Sequence, residues 1–233
     1  LVEQLQAADK RMFGLGLRAA RELPGREVAD ALVAELGRAS PERQALLLLA
    51  VADRGDTTAL PAVLQAAKSG SGDVRMAALG VLGRLGTASC VPVLLDAAQE
   101  PDEELSQAAL AVLADMPGKD VDDDVAARLS KAEGKARRIL IQLVGRRHVA
   151  AAVPALLAAA DDTDEGIRSA ALTALGSTIG FRDLPVLITR VASPAKPEEA
   201  KAATGALRAA CQRMPDREAC AEKLVAAMSS APV

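Results

Sequence analysis

Residues 85–98 read LGTASCVPVLLDAA, and the proline at position 92 decides how the rest of the chain is read. The apolar residues around it recur at helical spacing, yet a proline in a helix interior costs about 3 kcal/mol. In a first turn it costs little, because the backbone N–H groups there have no intrahelical partner to lose. Pro92 therefore predicts a helix start just after the Gly86-Thr87 break. The same device returns at Pro61, Pro154 and Pro185, at intervals of 31, 62 and 31 residues. Slots 30 and 123 hold aspartate instead, within VADALVAELG and VDDDVAARL, but Val125 and Leu129 keep the apolar phase.

The upstream half of each unit repeats as well. Ala77-Ala78-Leu79 returns as Ala108-Ala109-Leu110 and Ala170-Ala171-Leu172, Gly83 as Gly145 and Gly176, and Arg75 as Arg137 and Arg168. After Pro185 the register slips by one residue through SPAKPEEA and then resumes. A constant period over nearly the whole chain is the mark of a repeat array. Within a unit, Val74, Ala78, Val81, Leu82 and Leu85 line one helix face, and Val91, Leu94, Leu95 and Ala98 line another. Polar stretches such as KSGSGD, QEPDEE and ADDTDEG separate the units and suit turns and helix N-caps. One such hairpin cannot bury its apolar face alone, whereas stacked neighbours form a continuous core. The reading is an all-α solenoid of about seven antiparallel hairpins. The expected repeats span 9–38, 41–70, 73–100, 103–131, 134–161, 164–193 and 197–230, in one elongated domain over residues 1–233.

Composition narrows the classes of function. Half of the 233 residues are apolar and a quarter charged, as in folded domains. Phe13 and Phe181 are the only aromatic residues, and the net charge of −3 argues against nucleic acid as a partner. The longest apolar stretch, VAAAVPALLAAA, is too short for a membrane helix and carries Pro154. The chain opens on Leu1 with no leader pattern, which reads as a processed product or a piece of a longer polypeptide.

DVRMAALGVLGRLG followed by SCVPVLLDAA, and GIRSAALTALGSTIG followed by DLPVLITR, resemble HEAT repeats, particularly the short variety found in phycobilin lyases. The likeness covers roughly residues 9 to 230. The resemblance implies an α-solenoid with second helices lining a concave surface, but the same repeats serve scaffolds, transport receptors and a few enzymes. GKDVDDDVAARL departs furthest, lacking the proline and carrying four aspartates. CQRMPDREAC also resembles the last unit of HEAT modules attached to large exported bacterial proteins. HEAT-type deoxyhypusine hydroxylases carry repeated His-Glu pairs for iron, and this chain has none.

Few residues invite chemistry. His148 is the single histidine, in a turn of the fifth unit, so no multi-histidine metal site is available. Asp120, Asp122, Asp123 and Asp124 lack the glycine-punctuated spacing of a calcium loop and read as a helix-start cluster. The repeated arginines read as bridges between polar loops of stacked units. Cys90 reads as a core residue. Cys211 and Cys220 lie nine residues apart across the last hairpin turn, within reach of the roughly 4.4–6.8 Å Cα separation of a disulfide. Two readings stay open: a bridge clasping the terminal hairpin in an oxidising compartment, or reduced thiols in a cytosol. No catalytic residue, cofactor or metal is expected.

The outward positions of the second helices are the candidate binding surface. Slot 65 reads Gln65, Asp96, Ala127, Ala158, Thr189, and slot 68 reads Lys68, Gln99, Ser130, Asp161, Ala192. Gln65, Lys68, Asp96, Gln99, Asp161 and Thr189 are its polar members. With no aromatic hot spot and no deep pocket wall, the surface suits a protein segment better than a small molecule. The expectation is a non-catalytic, protein-binding or scaffolding solenoid, its partner another protein or other domains of the same bacterial polypeptide. A bilin-lyase-like enzyme subunit is the alternative, and a nucleic-acid-binding solenoid a more distant one.

Overall fold

The computed structural model describes residues 1–194, 196–197 and 199–230, without the side chains of 227–230. Among the described residues the regular structure is helical, with no strand. A short helix, α1 (Val2–Gln6), precedes seven hairpins. These are α2 (Lys10–Glu22) with α3 (Arg26–Leu36), α4 (Pro41–Arg54) with α5 (Leu60–Ser69), and α6 (Gly72–Leu85) with α7 (Val91–Ala98). Then follow α8 (Glu103–Asp115) with α9 (Lys119–Leu129), α10 (Gly134–Arg146) with α11 (Val153–Ala159), and α12 (Glu165–Thr178) with α13 (Leu184–Ala192). The last pair is α14 (Glu199–Arg213) and α15 (Arg217–Ser230). Of the stretch in which the register slips, residues 195 and 198 lie outside the described residues.

The helices gather into two compact units, Leu1–Val121 and Asp122–Val233, and the division falls inside α9. In the first unit the first helices α2, α4, α6 and α8 pack in succession, and α5 meets α7 beside them. Leu47, Leu48, Leu79, Leu82, Leu94 and Leu113 are fully buried there. In the second unit α10, α12 and α14 pack in succession, and α13 meets α15, around Ile141, Leu143, Leu156, Leu172 and Leu175.

Pro61, Pro92, Pro154 and Pro185 all stand in the first turn of a second helix, as the spacing predicts. The structure adds what precedes them. Each of these helices is entered through a three-residue 3-10 turn: Thr57–Ala59, Ala88–Cys90, Ala150–Ala152 or Phe181–Asp183. The two units with aspartate in the proline slot start differently. Their second helices begin directly after Gly25 and Gly118, at φ of 111° and 115°, where a side chain would be strained. Both helices thereby start four residues ahead of the slot, so Asp30 and Asp123 lie inside α3 and α9. Proline could not stand at either place without losing a helix hydrogen bond.

Candidate functional site

The repeated arginines and their slot-mates do a structural job, visible from their bonds. Arg75 Nε donates to the Ala67 carbonyl eight residues back, at 2.8 Å. In the equivalent slot Gln44 donates to the Leu36 carbonyl at 2.8 Å and Ser106 to the Ala98 carbonyl at 2.7 Å. The shared bond caps the end of the preceding second helix, satisfying a carbonyl that the helix itself cannot. Longer side chains reach further. Arg75 forks onto Glu100 at 2.8 and 2.5 Å, Arg137 meets Asp162 at 2.6 Å, and Arg168 meets Glu199 at 2.6 Å. Arg168 and Glu199 are 3% and 5% exposed, so this pair is buried, and Arg168 also donates to the carbonyls of Asp162 and Thr163.

The carboxylates held below their usual range are engaged in the same work. The Arg75 guanidinium lowers Glu100, Arg84 and Arg21 lower Asp53, and Thr58 lowers Asp56. Asp164, the N-cap of α12, is lowered by the Ile167 N–H that it accepts. Asp53 thereby ties α4 to both α2 and α6. Of the aspartate cluster, Asp122 pairs with Arg147 and Asp124 with Arg128. His148 is exposed at φ 55°, with Nδ1 2.8 Å from the Ser177 carbonyl of α12. Among the described residues no three His, Cys, Asp or Glu side chains converge as metal ligands would. No described helix is long and apolar enough to cross a membrane.

The surface predicted from slots 65 and 68 can be followed in each unit. In the first, Gln65, Lys68 and Asp96 are exposed and Gln99 is half-buried. Gln65 Nε2 donates to Ser69 Oγ at 3.0 Å, and Gln99 Nε2 to the Leu95 carbonyl at 3.0 Å. A groove of about 270 Å³ separates α3 from α5, with Gln65, Ala62, Ala66 and Ser69 on one wall and Val33 and Leu36 on the other. In the second unit Ala127, Ser130, Ala158, Asp161, Thr189 and Ala192 are exposed. Asp161 is joined to Arg190 at 2.7 Å, and Thr189 Oγ1 donates to the Pro185 carbonyl of its own helix at 3.0 Å. Asp161 is therefore engaged in tying the end of α11 to α13, and Thr189 in a bond within its own helix.

Cys90 and Cys220 are buried and Cys211 is half-buried, and all three are free thiols in this structure. The bridge between Cys211 and Cys220 is not formed. Cys220 Sγ instead donates to Met214 Sδ at 3.4 Å. Burial pushes the Cys211 thiol up, and the neighbouring Cys220 adds to the shift. Periodicity pointed to neither the eight-residue capping bonds nor Met214, because both depend on which side chain reaches across a turn.

Stacked helical hairpins with polar caps between them define an α-helical repeat protein of the solenoid class. The HEAT-repeat description matches residues 29–114 and 122–208, well over half of the chain, and the protein belongs to the HEAT-repeat family. No curated protein sequence matches it. Among solved structures it is similar to the CpcE–CpcF phycocyanin lyase complex of Nostoc sp. PCC7120, at 16% identity and a TM-score of 0.44. That match covers 99% of this chain and 93% of the other. It is also similar to Escherichia coli YibA, at 16% identity and a TM-score of 0.46, covering 91% of this chain and 80% of that one. Human deoxyhypusine hydroxylase is similar at 16% identity and a TM-score of 0.41, covering 91% and 93%.

Proposed function

We propose that the protein is a non-catalytic binding or scaffolding module whose second-helix faces take a segment of another polypeptide. The observation that carries this reading is the exposure of slot 65 in five successive repeats: Gln65 and Asp96 in the first unit, Ala127, Ala158 and Thr189 in the second. A repeated position kept out of the core, and filled with small or polar residues, leaves a chain room to approach the helices closely. Beside it, the groove between α3 and α5 has a modest volume of about 270 Å³, below that of most small-molecule pockets. Gln65 lends a side-chain amide to its rim, a group that can both donate to and accept from a bound backbone. The lowered carboxylates Glu100, Asp53 and Asp164 are accounted for by caps and ion pairs, which favours a structural over a catalytic use of their charge.

Site-specific photo-crosslinking in the source cells tests the proposal. A crosslinking side chain placed at 65 or at 96 should trap one and the same protein partner. Placed at Arg18, exposed on α2, it should trap none. Adducts from position 18 alone, or none from 65 and 96, would overturn the reading. Once the partner is known, Gln65→Arg and Asp96→Arg should weaken its binding without changing the melting temperature, since both positions face solvent.

A further inference from the structure

Three sulfur-bearing residues lie in the last hairpin. Cys211 comes from the end of α14, Cys220 from the first turns of α15, and Met214 from the connection between them. Cys220 Sγ and Met214 Sδ are 3.4 Å apart, both side chains are nearly inaccessible, and Cys211 and Cys220 face one pocket of about 560 Å³. The pocket is also lined by Arg208, Arg217, Thr204 and Gln212. From this juxtaposition we propose that Cys211, Cys220 and Met214 form a binding site for a soft monovalent metal ion, Cu(I) in chemical class.

Thiolate and thioether ligands select Cu(I) over harder ions, and a structural zinc site requires four ligands. The hairpin offers three sulfurs, and among the described residues no cluster of three His, Cys, Asp or Glu supplies more. A low-coordinate ion suits that set. With metal–sulfur bonds of about 2.3 Å, trigonal ligands stand about 4.0 Å from one another. Cys220 and Met214 therefore need to part by only about half an ångström from their present 3.4 Å contact. Binding releases the two thiol protons to solvent and leaves the metal's oxidation state unchanged. Two thiolates with one monovalent cation carry a net single negative charge, and the cationic residues Arg208 and Arg217 are among those lining the same pocket.

The test uses the full chain, reduced with a phosphine and titrated anaerobically with Cu(I) against bicinchoninate. The parent should withdraw one Cu(I) per chain from the chelator, with thiolate-to-metal charge transfer appearing in the ultraviolet. Cys211→Ser and Cys220→Ser should each abolish the withdrawal, Met214→Leu should weaken it about tenfold, and Cys90→Ser should leave it unchanged. A second measurement needs no variant: one equivalent of Cu(I) should shield Cys211 from alkylation in the native protein. No withdrawal by a chain with three countable thiols, full withdrawal by the folded Cys211→Ser/Cys220→Ser variant, or unshielded Cys211 overturns the site.

Discussion

Two glycines in one repeat slot separate a packing requirement from a coincidence. A Cβ on Gly176 would lie 2.8 Å from both the Cα and the carbonyl oxygen of Ala206, backbone atoms of α14 that cannot swing away. A Cβ on Gly83 would touch only the Val112 methyls, at 3.4 and 3.6 Å. Gly176→Ala should therefore lose about 1–3 kcal/mol from overpacking, outweighing its gain in helix propensity. Gly83→Ala should be neutral or gain up to about 1 kcal/mol. Urea unfolding of the two variants checks the contrast. Charge gives a second prediction at this scale. Arg75 holds the Glu100 carboxyl below its ordinary value of 4.5, so the pair's contribution is complete above that value and is lost as pH falls through the lowered one. The gap in melting temperature between the parent and Glu100→Gln should thus be constant from neutral pH down to about 4.5 and then close. A gap that widened in acid would contradict the assignment.

At the scale of the element, the proline slot carries the main lesson. Pro92→Ala should cost less than about 1 kcal/mol, because the ring occupies a first turn where no helix hydrogen bond is gained by removing it. Asp30→Pro should cost about 3 kcal/mol, because the same slot lies in the body of α3. Equal losses in thermal unfolding would refute this account of the two kinds of helix start. Periodicity was enough to predict the hairpins, since one buried face per helix recurs every 31 residues. It could not show that α3 and α9 begin early, because that depends on the left-handed backbone of Gly25 and Gly118 rather than on any apolar pattern. Nor did it reveal α1, whose five residues are too few to display a period and are held by the burial of Leu5. The exposed slots of the second helices were legible for the same reason as the core: the face opposite a buried stripe is determined once the stripe is. What those side chains bond to was not.

For the molecule as a whole, repeat construction predicts that damage stays local. Each repeat contacts chiefly its neighbours, so stability is a sum of repeat and nearest-neighbour terms. Glu199→Gln would take the carboxylate out of the buried Arg168–Glu199 pair, a change worth about 3–5 kcal/mol. Hydrogen exchange should show the loss of protection in α12 and α14, which pack against each other, while α2, α4 and α6 keep theirs. Uniform loosening of every helix would mean that the chain unfolds as one cooperative body.

The capping bond shared by Gln44, Arg75 and Ser106 bears on how such a chain can be cut and rejoined. Donor and acceptor are always eight residues apart, so a transplanted segment brings its own helix end with it wherever the seam lies outside that window. A seam between Leu36 and Gln44 would sever the bond, whereas one placed past the first turn of a first helix would not. Gene duplication and laboratory shuffling should accordingly favour joints within first helices. The boundaries at which units are inherited then fall within the first helices rather than at the loops at which the eye divides the units.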